Sequence, residues 1–215
     1  MRNPLSGVTK PRLTQRPIDV FSPSEMQQLQ LAISKLPALE QLRWLLALRY
    51  GLRQGEALGL KRSDFDLGNL TLKIQRTVNS LPGQGVVELL VKSKNALRTI
   101  PIDAQLAQLV MSVTDGGYLF PSACGLALEA SIDRRRWLKL LADSGVRSLP
   151  LHAARHSVAT SMMRQGVNPR VVQMLLGHSS PAYTLATYVH PGIDELRQAL
   201  EGNSSLAIGG GVWGQ

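Results

Sequence analysis

A mainly α-helical α+β fold carrying one small three-stranded antiparallel sheet is what this sequence of 215 residues predicts. Three observations carry that reading. Helix start and stop residues bracket most of the chain, with Ser22-Pro23-Ser24-Glu25, Asp103 and Asn168-Pro169 as openings and Gly51, Gly166 and Gly177 as endings. Between them apolar residues recur at the spacing of one helix face. Only residues 70–102 switch to strand-like patterning.

Residues 1–20 read as a basic arm or linker, with Pro4, Pro11 and Pro17, and with Arg2, Lys10, Arg12 and Arg16 ahead of the first acid, Asp19. Such a segment either touches a DNA backbone or is a disordered leader. The folded domain is expected over 21–202, and 203–215, with Gly209-Gly210-Gly211, as a flexible tail. At Ser22-Pro23-Ser24-Glu25 a capping box with proline at the first helical position opens a helix with a Met26, Leu29, Ile33 and Leu36 stripe. After Pro37 a second helix runs to about Tyr50. Leu42, Trp44, Leu45, Leu46 and Leu48 make it apolar nearly all round, which places it centrally.

The strand-like region divides into three runs: Leu70, Leu72 and Ile74; Val86 to Val91; and Arg98 to Ile102. Turn-rich connections lie at Asn79 to Gly85 and Ser93 to Ala96. Asp103 caps a helix through Val110. Another helix, about Ala130 to Asp143, turns Ile132, Trp137, Leu138 and Leu141 inward and Arg134, Arg135 and Arg136 partly outward, onto DNA backbone or into solvent. Leu151, Ala154, Val158 and Met162 stripe the next helix, which ends at Gly166. Asn168 caps its successor, Pro169 takes the first position, and Gly177 ends it, delivering His178 at a helix terminus. Ser180-Pro181 opens a short helix carrying Tyr183 and Tyr188, and Ile193, Leu196 and Leu200 stripe a last one after Pro191.

Composition narrows the function. A net charge of +9 favours a polyanionic partner, and no apolar run is long enough to span a bilayer, so double-stranded DNA is favoured over membrane. A single cysteine, Cys124, excludes an internal disulfide framework. With no signal-like stretch among Met1 to Arg16, a cytoplasmic location is expected. There is no P-loop and no carboxylate cluster to hold two magnesium ions, and no cofactor or metal is expected.

Chemistry concentrates between His152 and Tyr188. His152 and Arg155 are three apart and share a helix face. His178 at a helix end and Tyr188 on a short third helix come near that face, so all four can converge on one phosphate. Upstream, Arg53 sits beside a helix start with Glu56 three residues on, a carboxylate able to hold an arginine fork. His152 and His156, at i and i+4, also have the spacing of helical zinc ligands, but a general-base Glu between them is absent and Arg155 sets a positive charge there.

Three segments together resemble the tyrosine recombinase family, the phage integrases. Gly51-Leu52-Arg53-Gln54-Gly55-Glu56 through Leu60 is similar to the family's first box. His152-Ala153-Ala154-Arg155, then Leu176-Gly177-His178, then Tyr188-Val189-His190 are similar to its C-terminal pattern, with Ala154 where the family usually has Leu. Val91-Lys92-Ser93-Lys94-Asn95 resembles the turn that carries its lysine. Lys92 takes that position, and Lys94 is the rival.

The resemblance implies a tyrosine recombinase catalytic-domain-like fold over roughly 20–200 and the catalytic set Arg53, Lys92, His152, Arg155, His178 and Tyr188. It implies a DNA breaking and rejoining enzyme that acts without metal or ATP, as a homotetramer on DNA and a monomer off it. Tyr188 would attack the phosphate and form a 3′-phosphotyrosyl link, with Lys92 protonating the leaving 5′-oxygen. Tyr183 lies too close to His178 for the family spacing and is read as packing. A type IB topoisomerase-like enzyme and a catalytically idle DNA-binding remnant are the alternatives. Family members usually carry a further helical domain upstream. Only about twenty residues precede the catalytic part here, so either an excised domain or a short member is expected, binding DNA weakly.

Overall fold

Ser22 opens the first helix through the predicted reciprocal cap. Its Oγ accepts from the Glu25 backbone N–H at 3.2 Å, and the Glu25 carboxylate accepts from the Ser22 N–H at 2.7 Å. In the computed structural model, which describes residues 19–81, 83, 85–91, 96–113 and 117–177, this helix is α1 (Pro23–Ile33), followed by α2 (Ala38–Leu48) and the short α3 (Gln54–Leu58). A 3₁₀ turn, Arg62–Asp64, leads into β1 (Phe65–Asp66), β2 (Thr71–Ile74), β3 (Arg76–Leu81), β4 (Gly85–Leu90) and β5 (Arg98–Pro101). The remaining described helices are α4 (Ala104–Ser112), α5 (Ala130–Asp143), α6 (Leu151–Arg164) and α7 (Pro169–Leu176).

α2 is central, as its all-round apolar surface requires. Leu42 and Leu46 face a core shared with Leu58, Leu60, Leu72, Ile74, Ile100, Leu106 and Val110. Trp44, Ala47 and Leu48 face a second core with Phe21, Leu29, Ile33, Trp137, Leu141 and Ala154. Trp44 and Trp137 are fully buried, with ring centroids 5.5 Å apart. Burying a side chain of this size contributes about 1.5–3 kcal/mol. The two cores thus fasten the sheet to one side of α2 and α1, α5 and α6 to the other.

The antiparallel three-stranded sheet is present, with the order β1-β2-β5, but its membership differs from the sequence expectation. Val86 to Val91 does not join it. β4 instead pairs with β3 in a separate two-stranded sheet, Arg76 opposite Leu90 through Leu81 opposite Gly85. Asn79, Ser80 and Leu81 are therefore strand, not turn. The polar faces of β3 lack the alternation that marks a strand, and pairing with β4 supplies what propensity does not. In consequence β4 and β5, the strands on either side of Lys92, belong to different sheets, while Lys92 itself lies outside the described residues.

Two smaller differences follow from helix geometry. In α5, Trp137, Leu140 and Leu141 form the buried face, while Leu138 is exposed, one hundred degrees of rotation away from Trp137. α4 runs two residues past Val110, to Ser112. No helix among the described residues is long and apolar enough to cross a membrane.

Candidate active site

Local signals explain why Arg53 stands where it does. Gly51 leaves α2 with φ +63°, and a Cβ there would lie 2.6 Å from Leu176 Cδ2, so both backbone and space demand glycine. Arg53 is the residue before α3, in extended conformation, and Glu56 is the third residue of that helix. Glu56 Oε2 accepts from the Arg53 backbone N–H at 3.0 Å, the back-reaching half of a capping box, while Oε1 accepts from Arg53 Nη1 at 2.7 Å. The spacing R-x-x-E is thus the spacing that lets one carboxylate cap a helix and hold a guanidinium.

α6 supplies the second arginine. Arg155 is buried, with Nη1 donating to the Gly51 carbonyl at 2.7 Å and Nη2 to the Leu176 carbonyl. α7 begins as predicted: Asn168 Oδ1 accepts from the Arg170 N–H at 2.8 Å and Pro169 follows the cap. It ends at Gly177 in the left-handed conformation, φ +66°.

The C-terminal carbonyls of a helix lack intrahelical partners. At this end of α7, three successive ones are taken by three arginines from three other elements. Leu175 accepts from Arg98 Nε at 2.9 Å, Leu176 from Arg155 Nη2, and Gly177 from Arg53 Nη2 at 2.9 Å. The partial negative charge of the helix terminus suits them.

Arg53, Arg155 and His152 line one cavity of about 590 Å³, together with Gln54, Arg134, Leu138 and Ser148. Sequence placed Arg134, Arg135 and Arg136 together as a backbone contact or a solvated face. In the structure Arg134 lines this cavity, and Arg136 borders a separate crevice beside Arg43 and Glu40. The buried partner of α5 in this region is Asp133, which accepts from Arg43 at 2.7 and 2.8 Å and from Gln54 Nε2 at 2.8 Å.

Electrostatics favour an anion here. Burial opposes ionisation of Glu56, but the Arg98 fork and then Arg53 hold its carboxyl down at about 2. His152 is pushed below its ordinary value by burial, then by Arg155 and Arg53, so it stands as a neutral imidazole able to accept a proton. His156 packs edge-on against it with ring centroids 4.4 Å apart, and burial, then His152 and Arg155, push it down to about 4. Among the described residues no three His, Cys, Asp or Glu side chains gather as a metal site.

Of the sequence-predicted set, Arg53, His152 and Arg155 come together. Lys92, His178 and Tyr188 lie outside the described residues, as do Lys94, Tyr183 and His190. Chain continuity puts His178 directly after the Gly177 carbonyl held by Arg53. Sequence placed Arg98 only at the head of a strand, without its grip on Glu56, and did not separate Arg134 from its neighbours.

Comparison with known proteins follows the same outline. Residues 19–194 match the family model described as the phage integrase family. A tyrosine recombinase XerC-like protein of Caldanaerobacter subterraneus subsp. tengcongensis is 31% identical, over 89% of this chain and 55% of its own length. An integrase of Saccharopolyspora erythraea is 27% identical, over 83% of this chain and 56% of its own. The chain spans about half the length of these curated relatives. Among solved structures, the Tn1549 transposon integrase in complex with transposon right end DNA superposes with a TM-score of 0.75 at 22% identity, covering 93% of this chain and 70% of that one. XerA recombinase gives 0.67 at 24% identity, covering 87% and 66%. These likenesses establish the fold.

Proposed function

Because this chain belongs to the phage integrase family, we propose that it breaks and rejoins double-stranded DNA at specific sites through a 3′-phosphotyrosyl intermediate, with neither metal nor ATP. One observation carries the reading: Arg53, just before α3, and Arg155, within α6, are fixed by adjacent carbonyls of one helix end and open onto a single cavity beside His152. A phosphodiester under attack gathers negative charge on its non-bridging oxygens, and two fixed guanidinium forks answer that charge. His178 adds a third donor.

In the step itself, the Tyr188 oxygen forms a bond to phosphorus as the bond from phosphorus to the 5′-oxygen breaks. The phenol has an ordinary pKa of about 10 and gives up its proton during attack. His152 accepts it, and Lys92 delivers a proton to the departing 5′-oxygen. The phosphotyrosyl bond conserves the energy of the diester, so a second 5′-hydroxyl reverses the step on a new partner. The working assembly is a homotetramer on DNA, a monomer away from it, acting in the cytoplasm.

The test uses a pool of nicked duplexes of randomised sequence, denaturing electrophoresis and sequencing of the adducted strands. A covalent band confined to a narrow set of sequences, with protein on the 3′ end, supports the proposal. Relaxation of any supercoiled plasmid by the monomer overturns site specificity in favour of a topoisomerase-like enzyme. Retained DNA binding with no covalent band overturns the enzyme.

A further inference from the structure

Arg98, at the start of β5, has no part in the chemistry above, yet it is held on several sides. Its Nη1 and Nη2 fork onto Glu56 at 3.1 and 2.9 Å, its Nε reaches the Leu175 carbonyl at 2.9 Å, and Nη1 also donates to the Ala96 carbonyl at 3.2 Å. Arg53 and Arg155 line the cavity and Arg98 does not, so a phosphate seated against Arg53 there does not reach Arg98.

Glu56 is the shared element. Its two oxygens take Arg53 Nη1 and the Arg53 backbone N–H on one side and both Arg98 terminal nitrogens on the other. A carboxylate paired with Arg53 alone would cancel the charge that Arg53 offers to a phosphate. With Arg98 on the same carboxylate, one negative charge is divided between two cations, and Arg53 keeps a net positive field toward the cavity. The fork also fixes the plane of Glu56, and through it the plane of the Arg53 guanidinium.

Geometry extends the effect to the rest of the site. Arg98 grips the α7 end one carbonyl before Arg155 does and two before Arg53 does. Its hold on Ala96 anchors the chain just after the segment that carries Lys92. We infer that Arg98 is a positioning residue for phosphoryl transfer, acting through Glu56 on Arg53. This rests on the function proposed above and adds a group that never touches DNA.

The experiment compares Arg98→Gln, which removes the charge, with Arg98→Lys, which keeps the charge and loses the fork. Each is made in the wild-type chain and in Arg53→Lys. Single-turnover adduct formation is measured at saturating DNA on sequences recovered from the randomised nicked pool, normalised to the folded fraction from a melting curve. Arg98→Gln is expected to slow cleavage by about 10–100-fold, the usual scale for removing a group that orients a primary one, with DNA affinity nearly unchanged. Arg98→Lys falls between it and wild type, and neither change slows Arg53→Lys further. Equal fold-losses in both Arg53 backgrounds, or a wild-type rate in Arg98→Lys, overturn the inference while leaving the proposed function intact. Failure of the wild-type chain to form any adduct overturns both.

Discussion

Arg53 and Arg155 are held by neighbouring carbonyls of one helix end, Gly177 and Leu176, although one precedes α3 and the other lies within α6. The same terminus thus sets the relative position of two guanidinium groups. Anything that moves the last turn of α7 is expected to disturb both together.

Gly51 tests that coupling. Its φ is +63°, and a methyl carbon added there would stand 2.6 Å from Leu176 Cδ2, so Gly51→Ala strains the backbone and pushes on α7 at once. The backbone contribution is about 1–2 kcal/mol. The Gly51 carbonyl also receives Arg155 Nη1, so adduct formation is expected to fall by more than the lost stability accounts for. A melting curve beside a single-turnover rate checks this.

Asp133 tests the support beneath the site. It is wholly buried against Arg43, itself 4% exposed, and Arg43 Nη1 finds no hydrogen-bond partner among the described residues. Asp133→Ala leaves a guanidinium buried without its countercharge and is expected to cost about 3–5 kcal/mol. Replacing both residues with apolar side chains, Arg43→Met with Asp133→Leu, is expected to recover most of that loss. Chemical denaturation of the wild type and the two variants provides the comparison.

Acid is expected to destabilise the fold through His156. Its folded value of about 4 lies below the ordinary 6.5 because of burial, then His152 and Arg155. Between those values the unfolded chain binds more protons than the folded one, so stability is full above pH 6.5 and is lost as pH falls toward about 4. Glu56, held down at about 2 in the folded chain against an ordinary 4.5, adds to the slope at the acid end of that window, where the unfolded carboxyl takes up a proton and the folded one does not. Denaturation midpoints across the range should fall on acidification, and less steeply in His156→Gln. His152, also pushed down, keeps its proton-accepting form at pH 7, which places the acid limb of the cleavage rate below 6.5.

The α5 arginines should separate in their salt dependence. Arg134 lines the cavity with Arg53 and Arg155, whereas Arg136 borders the crevice beside Arg43. Arg134→Ala is expected to lower the slope of log affinity against log salt by about 0.9, one phosphate contact. Arg136→Ala should leave it unchanged. Fluorescence anisotropy on a duplex over a salt series measures both.

Much of this arrangement is local and was therefore readable along the chain. Ser22, Asp103 and Asn168 cap helices because their side-chain oxygens reach N–H groups two or three residues on, and Gly177 turns left-handed where a Cβ would object. What was not readable is what distant segments decide. β3 becomes a strand because β4 lies beside it, and Arg98 becomes a clamp because folding brings Glu56 to it across 42 residues. Leu138 and Arg134 share an α5 face that looks apolar or charged depending on which residue is read, and only the cavity shows that both border open space.

The central claim is that one phenolic oxygen bonds to a DNA phosphorus within reach of Arg53 and Arg155. Protease digestion of the covalent complex, with mass spectrometry of the peptide that retains a nucleotide, reads it directly. The account predicts a single modified residue, Tyr188, with the adduct lost in Tyr188→Phe and kept in Tyr183→Phe. A nucleotide on Tyr183 or on any other side chain, or an adduct that survives Tyr188→Phe, would contradict it.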